Sequence, residues 1–361
     1  MNQSHLTAWV LTISSLSSVC AQSIVAQVVP DGTLPTGERS QVSGNAIVQI
    51  DGGARRGGNL FHSFSQFSVP TGDSAYFNNA ADVQNIFSRV TGGAISSIDG
   101  LIRANGTANL FLLNPNGILF GPNASLNIGG SFVATTANAI GFPNGEVFSS
   151  DATQPLPRQL LMVNPNAFFF NQLIPQPIFN QSTMNSTGLQ VSPRQNLMLV
   201  GGAVRLENGR LTSPGSYVEL GGVGGVGIVG LATTGEDWQL TIPDGTTRAD
   251  ASLSNGSVID VTGDSGSIRM LAQNIDISES VLQIRIPRDS RLPNTQTGDL
   301  DLNATGSIAL SMSSLSNDLL GQGNTGSINL TAGDQIFLDG GGINSAVRST
   351  GVGNAGNINI T

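Results

Sequence analysis

The chain has no lysine: all 15 of its basic residues are arginine. Charged residues fill 11% of its 361 positions, against roughly 25% in an average soluble domain. Solvent-exposed amphipathic helices need Lys and Glu on their outer faces, so this chain cannot make many of them. One cysteine and two histidines leave little from which to build disulfide staples, thiolate metal sites or histidine-based triads. Without lysine, no Gly-Lys-Ser/Thr phosphate loop is possible. The net charge of −9 argues against a nucleic-acid surface, which needs a basic stripe. The apolar run Ala8–Val19 is too short to span a membrane.

In place of charge stand 46 glycines and 32 asparagines, with many Ser and Thr. Hydrophobic residues at 39% suffice for a core. Extended strands joined by Gly/Asn turns are the natural outcome. Ala8–Val19, followed by small residues, reads as a secretory signal cleaved after Ala21 or Ala26, although no Lys or Arg precedes Arg39. Cys20 follows Val19, where a lipidated cysteine would follow a small residue. With residues 1–26 removed, the mature chain keeps no cysteine and one histidine, His62. Hydrogen bonding and apolar stacking must then hold the fold.

The last hundred or so residues repeat. Gly266, Gly298, Gly326 and Gly356 each precede an alternating apolar pair: Ile268/Met270, Leu300/Leu302, Ile328/Leu330 and Ile358/Ile360. A second pair follows the first three: Ile275/Ile277, Ile308/Leu310 and Ile336/Leu338. A third position follows at Leu282, Leu315 and Ile343. Period two within each run means strands with one buried face. A fixed spacing of about 30 residues means stacked units. Three short strands per unit with polar turns predict a coil of a parallel β-helix, like residues stacking about 4.8 Å apart. Asn and Gly at the corners suit turns with φ > 0, and Asn side chains can ladder between coils. The sequence stops inside a repeat, at Gly356–Thr361, which reads as the front segment of a longer protein or as a truncated piece of one; the opposite end should carry its own cap, formed from residues after the signal.

Between Gln27 and Ala139 the pattern is more individual. The most distinctive stretch is Asn114-Pro115-Asn116-Gly117-Ile118, between two strand-like runs. Asn-Pro and Asn-Gly are turn dipeptides, so local physics predicts a tight corner. Five ordered segments surround or include it: Gly58–Phe64, Ser88–Gly92, Asp99–Ile102, Asn114–Ile118 and Gly129–Thr136. Over roughly residues 30–165 the chain resembles the filamentous-haemagglutinin N-terminal domain of two-partner-secretion exoproteins, and its Asn-rich style is similar to cyanobacterial exoproteins. The resemblance implies a right-handed parallel β-helix, all-β, capped at the N-terminus and carrying a small extra sheet and a hairpin. It implies export by the Sec route, recognition by an outer-membrane barrel with POTRA domains, and a location outside the cell or on its surface, reached through the periplasm. Asn114, Asn116, Gly117 and Ile118 match the family's secretion element. Its companion, Asn-Pro-Asn-Leu, has only a downstream near-match, Asn164-Pro165-Asn166-Ala167. The implied division is a signal at 1–26, a secretion domain at 27–165, further β-helix with loops at 166–250, and repeat coils at 251–361.

Other residues invite chemistry and offer little. His62 sits mid-strand and reads as structural. Phe168–Phe170 suits a core better than an exposed hairpin. Arg285, Arg288 and Arg291 interrupt the repeat beside Pro287 and Pro293, and Arg55-Arg56 reads as a loop. The paired carboxylates Asp299/Asp301 and Glu236/Asp237 make a carbohydrate-active β-helix the rival reading, with a toxin passenger beside it. No acidic cluster recurs between coils, and no lysine is present to abstract a proton. The expectation is therefore a non-enzymatic exoprotein, adhesin-like, without catalytic residues, cofactor or metal. Its partners would be the transporter and cell-surface glycans.

Overall fold

The computed structural model describes residues 27–154, 156, 164–234, 237–290 and 295–361. The expected signal segment, Cys20, Glu236, Arg291 and Pro293 lie outside the described residues. Among those described, the one helical element is the 3-10 turn Met184–Ser186. The rest is strand and turn.

Strands arrive in sets of three. Ser267–Ala272, Ile275–Ser278 and Val281–Ile286 make one coil. In the next, Leu300–Ala304 is followed by the long strand Ile308–Leu319, which serves two faces. Corresponding strands pair in parallel from coil to coil, giving two 12-stranded sheets and a five-stranded one. The chain is an all-β, right-handed parallel β-helix. Its columns are in line: Ile268, Leu300, Ile328 and Ile358 oppose one another, as do Ile275, Ile308 and Ile336, and Leu282, Leu315 and Ile343. Up to Ile328, Ile308 and Leu315 these columns form one continuous interior, with Ile336 and Ile343 partly buried against it. Side chains of the same size stacked at strand spacing bury apolar area at about 25 cal/mol per Å² and leave few voids.

The front end is closed by antiparallel strands. Gln27–Pro30 and Ala54–Arg56 both pair with Asn59–Ser68, and Ser40–Ser43 pairs with Ile47–Gly52. Capping strands of this kind protect the open edge of the first coil. Arg55 and Arg56 belong to this cap rather than to a loop. Arg55 grips Asp82 through two bonds of 3.1 and 2.7 Å, and Arg56 grips Glu38 through two of 2.9 and 2.8 Å.

A second core lies outside the helix. The five-stranded antiparallel sheet runs in the order Val147–Ser149, Ala139–Gly141, Ala167–Phe170, Gly227–Thr234, Asp237–Thr241. It covers the outer side of the first coils. Phe61, Phe87 and Phe111 stack from coil to coil, with centroids 5.1 and 4.7 Å apart, and Trp238 closes the row 5.0 Å from Phe111. Phe168 and Phe170 are buried in this layer. Strand Asn85–Val90 is consequently buried at every position.

Asparagine ladders bind the coils: Asn109 Nδ2 donates to Asn85 Oδ1 at 2.8 Å, and Asn85 Nδ2 to Asn59 Oδ1 at 2.9 Å. One corner column departs from the Asn/Gly expectation. Asn208, Asn255, Glu279, Met312 and Gly340 each follow a paired strand and have φ of 53°, 56°, 49°, 48° and 70°. Stacking fixes the left-handed turn, so Glu and Met occupy it at some cost in strain.

Candidate functional site

Asn114–Ile118 forms the corner between strands Asn109–Leu113 and Ile118–Phe120. The Gly117 N–H donates to the Asn114 carbonyl at 3.2 Å, closing a turn with proline second. Gly117 has φ +111°, a conformation that favours glycine. Asn114 is fully buried. Its Nδ2 donates to Ala94 O and Ser96 Oγ, both at 3.0 Å, while its Oδ1 accepts the Asn116 backbone N–H and Nδ2, both at 3.0 Å. Asn116 Nδ2 also donates to Gly92 O at 2.6 Å. Pro115, Gly117 and Ile118 are buried too, and Gln172 Nε2 donates to Pro115 O at 3.2 Å. The motif's side-chain amides are committed to the fold. They hold the corner rather than present themselves.

What is presented lies around it. Ile95 would be 3.6 Å from a Cβ on Gly117, beside Gln176 and Pro177. Leu173 and Ile174, on the segment that covers the turn, are 84% and 78% exposed. The Leu173 carbonyl approaches Gly225, next to exposed Val226. Ile95, Leu173, Ile174 and Val226 are thus exposed aliphatic side chains on segments around the corner. Sequence reasoning missed all four, because the signal is a lack of cover that no local pattern encodes.

Ser88–Gly92 has its own explanation. Arg89 is buried and donates to Ser63 Oγ at 2.8 Å, Ser149 O at 2.5 Å and Thr33 Oγ1 at 2.9 Å, while lying over the Phe148 ring. Burial lowers its pKa, and nearby Asp31 and Asp151 oppose that. Asp31 accepts from Ser63, Thr91 and Thr33; burial pushes its carboxyl up, but these bonds outweigh it and the pKa falls. One guanidinium therefore ties cap, first coils and outer sheet together.

The remaining candidates are structural. His62 faces the interior against Phe64 and Phe77, its Nδ1 3.1 Å from Ser40 Oγ. Burial lowers its pKa to about 3, with Asp51 opposing. Asn164 Oδ1 accepts from Asn85 Nδ2 at 3.1 Å, and the Asn164–Ala167 stretch leads into the outer sheet rather than a coil corner. Arg285 Nη2 donates to Gln283, and Arg288 is exposed. Asp299 and Asp301 share the outer face of one coil, separate from the corner. Among the described residues no cluster of three metal-ligating side chains exists, and no helix is long and apolar enough to cross a membrane.

A family profile described as the TPS secretion domain matches residues 26–270. The chain belongs to the two-partner-secretion domain family. Among solved structures it is similar to the HMW1 secretion domain of Haemophilus influenzae, with TM-score 0.51 and 17% identity over 92% of this chain and 94% of that one. A filamentous haemagglutinin secretion domain is also matched, with TM-score 0.43 and 16% identity over 92% and 99%. No curated protein sequence matches. Membership makes the chain a secreted substrate that a TpsB outer-membrane transporter recognises, through a module that serves transport rather than catalysis.

Proposed function

We propose that the transporter's periplasmic POTRA domains read the face that carries the Asn114–Ile118 corner, contacting the apolar rim of Ile95, Leu173, Ile174 and Val226. The observation that carries this reading is the pairing of a fully committed turn with uncovered aliphatic side chains beside it. Isolated exposed aliphatics are ordinary, but several gathered on segments around one committed turn suit an interaction surface. Asn114, Pro115, Asn116, Gly117 and Ile118 act in this reading as the frame that sets the rim. The route runs through the periplasm after removal of an N-terminal signal. An extended segment adding to a POTRA sheet edge would supply main-chain bonds, with alternate side chains giving specificity. Outside the cell, the capped first coils nucleate the β-helix and each coil templates the next. The exported protein then acts as a surface adhesin.

The test separates frame from rim. The Leu173→Ser, Ile174→Ser double variant, co-expressed with the partner transporter, should lose at least tenfold in export while its urea midpoint stays unchanged. Asn114→Ala should lower export and midpoint together. Wild-type export from the double-serine variant would refute the proposed surface.

A further inference from the structure

A polar cleft of about 470 Å³ lies on the outer face of the long sheet, away from the corner. Its floor is a column across three coils, in which Glu219 opposes Arg269 and Arg269 opposes Asp301. Strand spacing sets these groups about 4.8 Å apart per coil. Asp299, Tyr217 and Gln239 are among the other lining residues, the last contributed by the outer sheet.

Glu219 is the unusual member. It is 1% exposed, and its Oε2 accepts the Leu240 N–H at 2.7 Å. Its Oε1 is buried without a hydrogen-bond partner, and the nearest cationic nitrogen, Arg269 Nη1, is 4.0 Å away. That separation is too long for a hydrogen bond. Arg269 Nη1 is instead spent on Leu240 O at 2.8 Å. A buried oxygen left unsatisfied is costly, so a donor supplied from the cleft has energy to gain. Asp301 uses Oδ1 on Asn329 Nδ2 at 2.6 Å and Asp299 uses Oδ1 on the Ser327 N–H at 2.7 Å, which leaves each a second oxygen. Burial pushes the Glu219 carboxyl up to about 7 and raises that of Asp301, so the floor carries less negative charge than three carboxylates would suggest.

The donor set excludes a metal ion: an arginine stands between the acids, and no three ligands converge among the described residues. Mixed acceptors, a guanidinium and a side-chain amide at regular spacing suit a ligand whose groups both give and take hydrogen bonds. A second polar cavity of about 670 Å³, lined by Asn85, Asn109, Arg194, Gln195 and Trp238, adjoins the same outer strand Asp237–Thr241. Hydrogen-bonding groups recurring from coil to coil along the cleft floor point to an extended ligand rather than a compact one. We propose that the cleft binds a neutral oligosaccharide, with Glu219, Arg269 and Asp301 bonding its hydroxyl groups. This inference does not depend on the rim around the corner.

Titration calorimetry of the chain at pH 7 with cellohexaose, maltohexaose, chitohexaose, chitosan hexamer, spermine and a heparin hexasaccharide tests it. Binding of at least one of the three neutral hexasaccharides is expected. Asp301→Ala and Glu219→Gln should each weaken that binding at least tenfold. Asp301 is half-buried, so Asp301→Ala keeps the test open if Glu219→Gln fails to fold. Binding of none of the neutral sugars, binding confined to spermine, chitosan or heparin, or affinity unchanged in folded Asp301→Ala would overturn the proposal.

Discussion

Two buried titratable groups, His62 and Glu219, pull stability in opposite directions with pH, and the balance can be worked out. His62 has an ordinary pKa of 6.5 and sits at about 3 in the fold because burial disfavours its charged form. Between those values only the unfolded chain takes the proton, so acidification destabilises the fold by about 1.4 kcal/mol per pH unit. Over the window of about 3.5 units the loss reaches about 5 kcal/mol. Glu219 runs the other way, from an ordinary 4.5 to about 7. Between these values the folded chain holds more proton, so its contribution is fully present below 4.5 and lost as pH rises through 7. That gain on acidification is about 3 kcal/mol.

From pH 6.5 to 4.5 the two slopes cancel; below 4.5 the Glu219 gain is complete and the His62 loss continues, opposed by Asp301, whose raised carboxyl is protonated first in the fold, and joined at lower pH by Asp31 as its stabilised carboxylate is protonated. Urea unfolding between pH 7.5 and 4, followed by Trp238 fluorescence, reads this directly. Wild type should be nearly flat from 6.5 to 4.5. Glu219→Gln should lose about 1.4 kcal/mol per unit across that window, and His62→Gln should instead gain as pH falls to 4.5. The groups that face them, Asp51 at His62 and Arg269 and Asp301 at Glu219, stay as they are in both variants. A Glu219→Gln variant whose stability is flat above pH 4.5 would show that His62 titrates normally in the fold, and the interior placement would be wrong.

Three further outcomes follow from the packing. Arg89→Met removes three bonds that join cap, coil and outer sheet, and should cost about 3 kcal/mol by urea midpoint. Phe111→Ala opens the aromatic row beneath Trp238; a loss of about 3–5 kcal/mol with a red-shifted Trp238 emission is expected. Met312→Gly releases a side chain from φ +48° at an exposed corner, so thermal unfolding should show a gain of about 1 kcal/mol.

The interior of the coils was legible because a β-helix repeats its own offsets: Ile268, Leu300 and Ile328 announce the column by spacing alone. The corner at Asn114 was legible too, since proline and glycine carry their dihedral preferences with them. What the corner does was not. Its asparagines are consumed by Ala94, Ser96 and Gly92, partners set by coil stacking. The outer sheet was hidden for the same reason: Ala139–Gly141 and Ala167–Phe170 pair across a long gap, and Phe168 reads alike whether it faces a core or a partner. Glu219 could be placed outside by its alternation with Val218 and Leu220. That the Asp237–Thr241 strand would bury it is a tertiary fact with no local trace.

The aromatic row has a consequence for the order of events. Phe61 and Trp238 stand at opposite ends of one packed column, so the front of the molecule cannot be completed until a residue far along the chain has arrived. Contacts of such separation carry a large loop-closure cost before they return anything. A polypeptide threaded N-terminus first would thus hold its first coils with one greasy flank bare for the time it takes to deliver the intervening stretch. Synthesis or translocation speed, rather than intrinsic folding rate, would then decide how long that flank stays open to whatever waits beside it.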